Sequence, residues 1–272
     1  MQKFEPLINV TIPVYNEEKQ LAHSVRRLWN HLVEHCRFSF EIVIADNGST
    51  DGTPEAARRL AAELHCVRCY FLRQKGRGRA LKAAWTSSRA DVLSYMDVDL
   101  STDLAAFPPL VEAVLSEGFD LAAGSRLLKP AWTTRGLKRE TISRGYNALI
   151  RLLFQRGFSD AQCGFKAISQ TAAAALLPMV QDNAWFFDTE LLLLAESQGY
   201  RIFDLPVRWK DDPESTVRLI PTIMEDLKGL ARMRTTLRGG RDQKAPPSRP
   251  VLAGGRFSMA ASEIAITHTE RR

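Results

Sequence analysis

Residues Leu7-Ile8-Asn9-Val10-Thr11-Ile12-Pro13-Val14-Tyr15-Asn16-Glu17-Glu18 run from an apolar stretch into polar residues, and that break decides the fold. The apolar part predicts a strand from Leu7 to Val14 that opens into a polar loop. Beyond it Leu21, Val25, Leu28, Leu32 and Val33 recur at helical spacing. Asn16 is the expected N-cap of this helix, and Glu17 and Glu18 suit the positive end of its dipole. A second apolar run, Phe40 to Ala45, completes a β-α-β unit. Further runs at Val67–Leu72, Val92–Met96 and Leu121–Ala123 keep the rhythm. The alternation predicts an α/β fold with a mostly parallel central sheet and helices on both faces. In the second crossover Asn47-Gly48 reads as a turn, Thr53 as a helix cap and Pro54 as the first helical residue. Both polar loops then fall at carboxyl ends of strands, where open α/β sheets bind ligands.

Past Gly124 the rhythm changes. A basic stretch from Arg135 to Arg156 places Ile142, Tyr146, Leu149, Ile150, Leu153 and Phe154 on one helical face, and Val217 to Met233 does the same with Ile220, Ile223, Met224, Leu227 and Leu230. From residue 238 to Arg272 the chain is rich in Gly, Pro and charge without periodicity, which predicts one catalytic-size domain over residues 1–237 and a flexible basic tail over 238–272. With 272 residues, 45% of them apolar and 25% charged, the composition is that of a soluble globular protein, and no apolar stretch approaches the roughly 18 residues of a membrane span. The start lacks a signal-peptide pattern, so the cytoplasm is the expected compartment. Four scattered cysteines, Cys36, Cys66, Cys69 and Cys163, do not make a disulfide framework, and the lone Cys66/Cys69 pair lacks the partners of a zinc site. The net charge of +6 invites an anionic partner without choosing among nucleic acid, membrane surface and phosphorylated substrate.

The chemistry concentrates at Val92-Leu93-Ser94-Tyr95-Met96-Asp97-Val98-Asp99, an apolar strand that ends in two carboxylates two positions apart, so that both can project to one side. Hard oxygen ligands of this kind suit Mg2+ or Mn2+ with positions left for substrate phosphate oxygens. Ile12-Pro13-Val14-Tyr15-Asn16-Glu17, then Glu41 through Asp46 and Asp51 to Thr53, then Met96 to Ser101, occur in the order seen in family 2 glycosyltransferases, which the chain resembles. Gly124-Ser125-Arg126, Asp160 to Lys166, Phe187-Asp188-Thr189-Glu190 and Pro206-Val207-Arg208-Trp209 narrow the resemblance to dolichyl-phosphate glucosyl- and mannosyltransferases and bacterial polyprenyl-phosphate relatives.

The resemblance implies a GT-A fold and an inverting transfer of a hexose from a nucleotide-sugar donor, of the UDP-glucose or GDP-mannose type, to a lipid phosphate. It assigns Pro13, Tyr15, Asn16, Glu17, Asp46 and Asp51 to the donor, and Asp97 and Asp99 to the ion, with Asp97 also beside the donor. Gln74 to Leu81 resembles a donor-side Gly-Lys-Gly-x-Ala-Leu element, with Arg77 where lysine is usual. Arg126, with Arg139 or Arg144 from the basic helix, would hold the acceptor phosphate. Asp188 reads either as a general base for a hydroxyl acceptor or as a helix N-cap. Many relatives carry transmembrane helices after the catalytic domain, whereas this sequence stops short of them, so peripheral contact at the cytoplasmic face of a membrane, or a membrane partner protein, is expected instead. Two other classes have signals of their own. His31-Leu32-Val33-Glu34-His35 matches an HxxEH zinc-peptidase pattern. A basic nucleic-acid-binding module would explain the charge, but not carboxylates clustered at strand ends, so no nucleic-acid partner is expected.

Overall fold

The computed structural model describes residues 5–129, 131–134, 137–155, 157–210 and 219–239. Nine strands are present among them: β1 Leu7–Val14, β2 Ser39–Asp46, β3 Val67–Phe71, β4 Val92–Met96, β5 Leu121–Ser125, β6 Trp132–Thr134, β7 Phe165–Ser169, β8 Ile202–Pro206 and β9 Arg208–Lys210. The helices are α1 Glu18–His35, α2 Thr53–Glu63, α3 Arg77–Ser87, α4 Phe107–Leu115, α5 Leu137–Phe154, α6 Gln170–Leu176, α7 Phe187–Ser197 and α8 Leu219–Gly239.

Seven strands form one sheet in the order β3-β2-β1-β4-β7-β5-β8, and β6 pairs with β9 in a second, two-stranded sheet. Every neighbour in the large sheet is parallel except β7, which runs antiparallel to both β4 and β5. Alternate residues of each strand serve opposite layers. Ile8, Val10, Ile12, Ile42 and Ile44 pack with Leu21, Val25 and Leu28 of α1, Leu60 of α2 and Leu110 of α4. On the other face Val43, Leu93 and Tyr95 pack with Leu81 and Trp85 of α3, Leu176 of α6 and Leu191 to Leu194 around α7. Each such side chain stabilises the fold by about 1.5–3 kcal/mol when fully buried. The polar members of β1 are satisfied in place: Asn9 donates to Glu41 at 2.8 Å, and Thr11 donates to Asn9 at 2.7 Å. Pro13 lies past the last β1–β4 pair, Thr11 with Tyr95, so its missing N–H removes nothing from that side of the ladder.

The five strands read from sequence are present, with β2 extended to 39–46, β3 ended at Phe71 and β5 extended to Ser125. Two expected caps are corrected. Glu17, not Asn16, occupies the N-cap of α1, and Gly52, not Thr53, that of α2, where Thr53 is the first helical residue and Pro54 the second. The shift arises because Asn16 Oδ1 accepts from Thr50 across the loops, while the Thr53 hydroxyl donates to Asp51 in its own loop and accepts from Glu17 N across them.

The face of α8 is also corrected. Met224 and Leu227 are exposed, while Asp226, Leu230 and Met233 are buried. A Cβ on Gly229 would lie 2.5 Å from the Phe186 ring, and this close backbone approach sets the rotation of the helix. The helix continues to Gly239, two residues past the expected domain end, and the tail expected at its end lies outside the described residues from 240 onward.

Candidate active site

The carboxyl ends of β1 and β2 lie side by side, in the register Val14 with Asp46, and their loops are stitched together. Asn16 adopts the left-handed region at φ 58°. From there its N–H donates to Ser49 Oγ at 2.9 Å, and its Oδ1 accepts from the Thr50 N–H at 2.8 Å. Asparagine tolerates this conformation because its short amide bonds locally. Glu17 N donates to Thr53 Oγ1 at 2.8 Å, and Glu18 N to Asp51 Oδ2 at 3.2 Å. Burial opposes the ionised form of Asp51, yet the donors from Thr53 and Glu18 hold its carboxyl below the ordinary value. Asp46 is buried and accepts from the Ser49 N–H at 3.2 Å. Lys75 Nζ lies 3.6 Å from the centre of the Tyr15 ring.

Asn47 joins this region to the start of α3, a role its reading as a turn residue did not reveal. It is buried, donates through Nδ2 to Val14 O at 2.6 Å and accepts at Oδ1 from the Gly76 N–H at 3.1 Å. The first amides of α3 are already engaged, Gly78 N with Ala184 O at 3.2 Å and Arg79 N with Asn183 O at 3.1 Å. Arg77 therefore enters the site through its side chain rather than through a free helix terminus.

Arg77 is the centre of a buried charged cluster. Its Nη1 bonds Asp188 Oδ2 at 2.6 Å and its Nη2 bonds Asp97 Oδ1 at 2.8 Å, with the guanidinium 4.7 Å from the Tyr95 ring centre and 5.2 Å from that of Trp185. Tyr95 also donates its hydroxyl to Asp188 Oδ1, and Lys166 Nζ lies 3.3 Å from that same oxygen. Burial would lower the pKa of Arg77, but Asp97, Tyr95 and Asp188 outweigh it and keep the guanidinium charged. Burial would likewise raise Asp188, but Lys166 and Arg77 draw its carboxyl below the usual range. Tyr95 is pushed well above its ordinary value by burial and by Asp188, so it stays a donor. The N-cap reading of Asp188 is corrected: Phe186 holds that position, and Asp188 sits in the first turn of α7 with its side chain 3% exposed. Lys166 and Tyr95 were read only as members of their motifs, and their place in this cluster shows only once Lys166 is found 2% exposed beside Asp188.

Asp97 differs from Asp188 in being 40% exposed in its side chain. It stands where it does because position 164 has no side chain: a Cβ on Gly164 would fall 1.7 Å from Asp97 Oδ2. Asp99 accepts at Oδ1 from the Ser101 N–H at 2.9 Å. Two carboxylates at one strand end fit Mg2+ or Mn2+, ions that keep several positions for water and substrate phosphates. Among the described residues no three acidic, histidine or cysteine side chains gather to hold an ion by themselves. In the HxxEH segment of α1, His31 and His35 meet edge to face at 4.5 Å between ring centres.

Of the arginines expected to meet an acceptor phosphate, Arg126 and Arg144 have described side chains, each paired with a carboxylate. Arg126 gives Nε and Nη2 to Asp160 at 2.7 and 2.9 Å, a bidentate pair in which Asp160 is fully buried. The pair holds the loop after β5 and sets the guanidinium where Asp97 also acts on it. Arg144 is exposed on α5 and pairs with Glu140 one turn away, and the side chain of Arg139 lies outside what is described. Two further links were not legible. Glu190 accepts both Nη atoms of Arg232 at 2.6 and 2.9 Å, and Asp226 accepts from Gln162 Nε2 at 2.6 Å while its Oδ1 is buried with no partner. Burial, against the Gln162 hydrogen bond and with Asp182, Glu225 and Asp188 nearby, pushes the Asp226 carboxyl up to about 7.

Residues 9–177 match the family described as Glycosyl transferase family 2. The chain is 40% identical over 219 residues to the glycosyltransferase AglD of Haloferax volcanii, a match that takes in 80% of this chain and 35% of AglD. It is 30% identical over 228 residues to the dolichyl-phosphate beta-glucosyltransferase of Mus musculus, covering 79% of this chain and 70% of that protein. The chain therefore spans about a third of AglD. Among solved structures, glucosyl-3-phosphoglycerate synthase from Mycobacterium tuberculosis, in complex with Mn2+, UDP and phosphoglyceric acid, aligns at a TM-score of 0.64 and 19% identity over 89% of this chain and 80% of that one. That likeness shows the GT-A fold.

Proposed function

This chain belongs to glycosyl transferase family 2, and on that premise we propose that it moves a hexose from a nucleoside diphosphate sugar to a polyprenyl or dolichyl phosphate, with inversion at the anomeric carbon. The observation that carries the reading is the meeting, at neighbouring strand ends, of the stitched loops after β1 and β2 with Asp97 and Asp99 after β4. In this reading the loops with Tyr15, Asn16, Glu17, Asp46 and Asp51 hold the nucleoside. Asp97 and Asp99 would hold Mg2+ or Mn2+, which supplies charge neutralisation to the departing nucleoside diphosphate. Arg77 sits beside Asp97 where the same phosphates arrive.

The state of Asp188 bears on the acceptor. A carboxylate clamped between Arg77 and Lys166, with its pKa depressed, has little tendency to take a proton. A lipid phosphate is already ionised and needs no base, whereas a sugar hydroxyl does, so the cluster favours the phosphate acceptor over a cell-envelope hydroxyl. The names of the dolichyl-phosphate glucosyltransferase relatives support the same choice and favour a glucosyl donor.

No helix among the described residues is long and apolar enough to cross a membrane. The proposed contact is peripheral, at the cytoplasmic face, either directly or through a membrane partner protein. Exposed Leu152, Met224 and Leu227 on α5 and α8 support direct contact, as does a groove of about 520 Å³ lined by Leu149, Leu153, Leu227, Leu230 and Arg234. Exposed Arg144, Arg151, Lys228 and Arg234 add the positive charge that anionic lipids attract.

The test offers radiolabelled UDP-glucose or GDP-mannose with dolichyl phosphate and Mn2+. Label is expected in the organic-extractable fraction, and Asp97→Ala is expected to lower its formation by about a thousandfold. Label appearing solely in aqueous products would overturn the lipid acceptor, and an Asp97→Ala variant of undiminished rate would overturn the role of Asp97.

A further inference from the structure

We propose that Arg77 and a divalent ion are alternative partners of Asp97, and that the phosphates of an incoming nucleoside diphosphate exchange one for the other, making ion and nucleotide binding cooperative. This rests on the reading of Asp97 as an ion ligand.

The two ends of the guanidinium fork are unequal. Asp188 is 3% exposed and has Lys166 and Tyr95 as additional partners, so its charge stays compensated if Arg77 shifts. Asp97 is 40% exposed, and Arg77 is the cation that pairs with it at 2.8 Å. The first contact is the anchor and the second the exchangeable one. A guanidinium bonded to a carboxylate oxygen repels a divalent ion from that carboxylate, because like charges a few ångströms apart are costly away from bulk water. Phosphate resolves the conflict, since guanidinium forks match its oxygens bidentately and those oxygens also ligate the ion. Arg77 has donors in hand for this: it carries five N–H groups, and its Nε is buried with no partner. Lysine, usual at this position in the family resembled, brings one ammonium and cannot span two carboxylates with a planar fork. The exchange thus belongs to the arginine in this chain. Linkage then requires that the ion tighten nucleotide binding by the same factor by which nucleotide tightens the ion.

The experiment measures Mn2+ binding to the full chain by the electron paramagnetic resonance of free Mn2+, alone and with uridine, pyrophosphate or UDP. UDP and pyrophosphate are expected to tighten Mn2+ by at least about tenfold, and uridine to leave it unchanged. In Arg77→Gln, Mn2+ without nucleotide is expected to bind about tenfold tighter than in the wild type, with a smaller gain from UDP. Tightening by UDP together with an Arg77→Gln variant that binds Mn2+ no better than wild type would overturn the exchange and leave the ion role of Asp97 intact. Failure of wild type to bind Mn2+ even with UDP would overturn that underlying role as well. The unmodified cluster supplies a second readout should Arg77→Gln fold poorly. UDP without metal is expected to change the emission of Trp185, obtained as the difference from Trp185→Phe, and uridine is not. Equal responses to UDP and uridine would count against the exchange.

Discussion

The loops after β1 and β2 are joined by hydrogen bonds among Asn16, Ser49, Thr50, Asp51 and Thr53, largely at the surface and between residues about 34 positions apart in two neighbouring crossovers. Beside them, Arg77, Tyr95, Lys166 and Asp188 bury opposite charges drawn from four elements as much as 111 positions apart. The first region is inexpensive to order, because each bond replaces one with water at little net cost. The second is sensitive to any single loss, because an intact buried ion network is near neutral in energy while a broken one leaves an uncompensated charge. The difference teaches where tolerance to substitution ends: the loops can lose a contact, whereas the cluster fails as a unit.

That contrast is sharpest at Asp188. Asp188→Ala should destabilise the fold by about 3–5 kcal/mol, read as the shift in a denaturant midpoint, because Arg77 and Lys166 then face each other with one carboxylate fewer. A loss below about 1 kcal/mol would show that the cluster is solvated and no different in kind from the loops. Asn47→Ala removes two hydrogen bonds on the loop side and should cost about 1–3 kcal/mol, measured the same way.

A smaller effect tests whether buried carboxylates of this half communicate with solvent pH. Asp226 keeps its proton to about 7 in the folded state against an ordinary value of 3.8. The folded state therefore binds more protons than the unfolded chain between those values, and the contribution of Asp226 to stability declines as pH rises through that window and is lost above about 7. Melting temperatures of wild type and Asp226→Asn from pH 5 to 8 should thus diverge in favour of the variant as pH rises; parallel curves would place the carboxyl in contact with water. The smallest effect is expected at Arg144. Its pair with Glu140 is an exposed i,i+4 contact, so Arg144→Gln should change stability by under about 0.5 kcal/mol in a denaturant titration.

Legibility followed the range of the interactions. Strand β1, helix α1 and the aspartates after β4 announce themselves in runs of ten to twenty residues, as apolar periodicity broken by polar ends. The caps of α1 and α2 were misplaced by one residue because Asn16 bonds Thr50 in the next crossover and Thr53 bonds Asp51, neither of which helical spacing reveals. The face of α8 was misread because Asp226 is polar and Met224 and Leu227 are apolar, while burial was decided by Gly229 against Phe186. Arg126 was read as an acceptor-phosphate arginine, and its pair with Asp160 was not legible because that partner is 34 positions away.

The sequence alone determined the first five strands of the main sheet, the α/β class, the family, and the candidate pair Asp97 and Asp99, because each is encoded in local spacing and in ordered motifs. Tertiary structure decided the rest: the antiparallel insertion of β7, the seat that Gly164 leaves for Asp97, and the assignment of Arg77 to two carboxylates at once. These depend on which side chains are brought together out of water, and the energy of a buried charge is set by neighbours the chain supplies from far away.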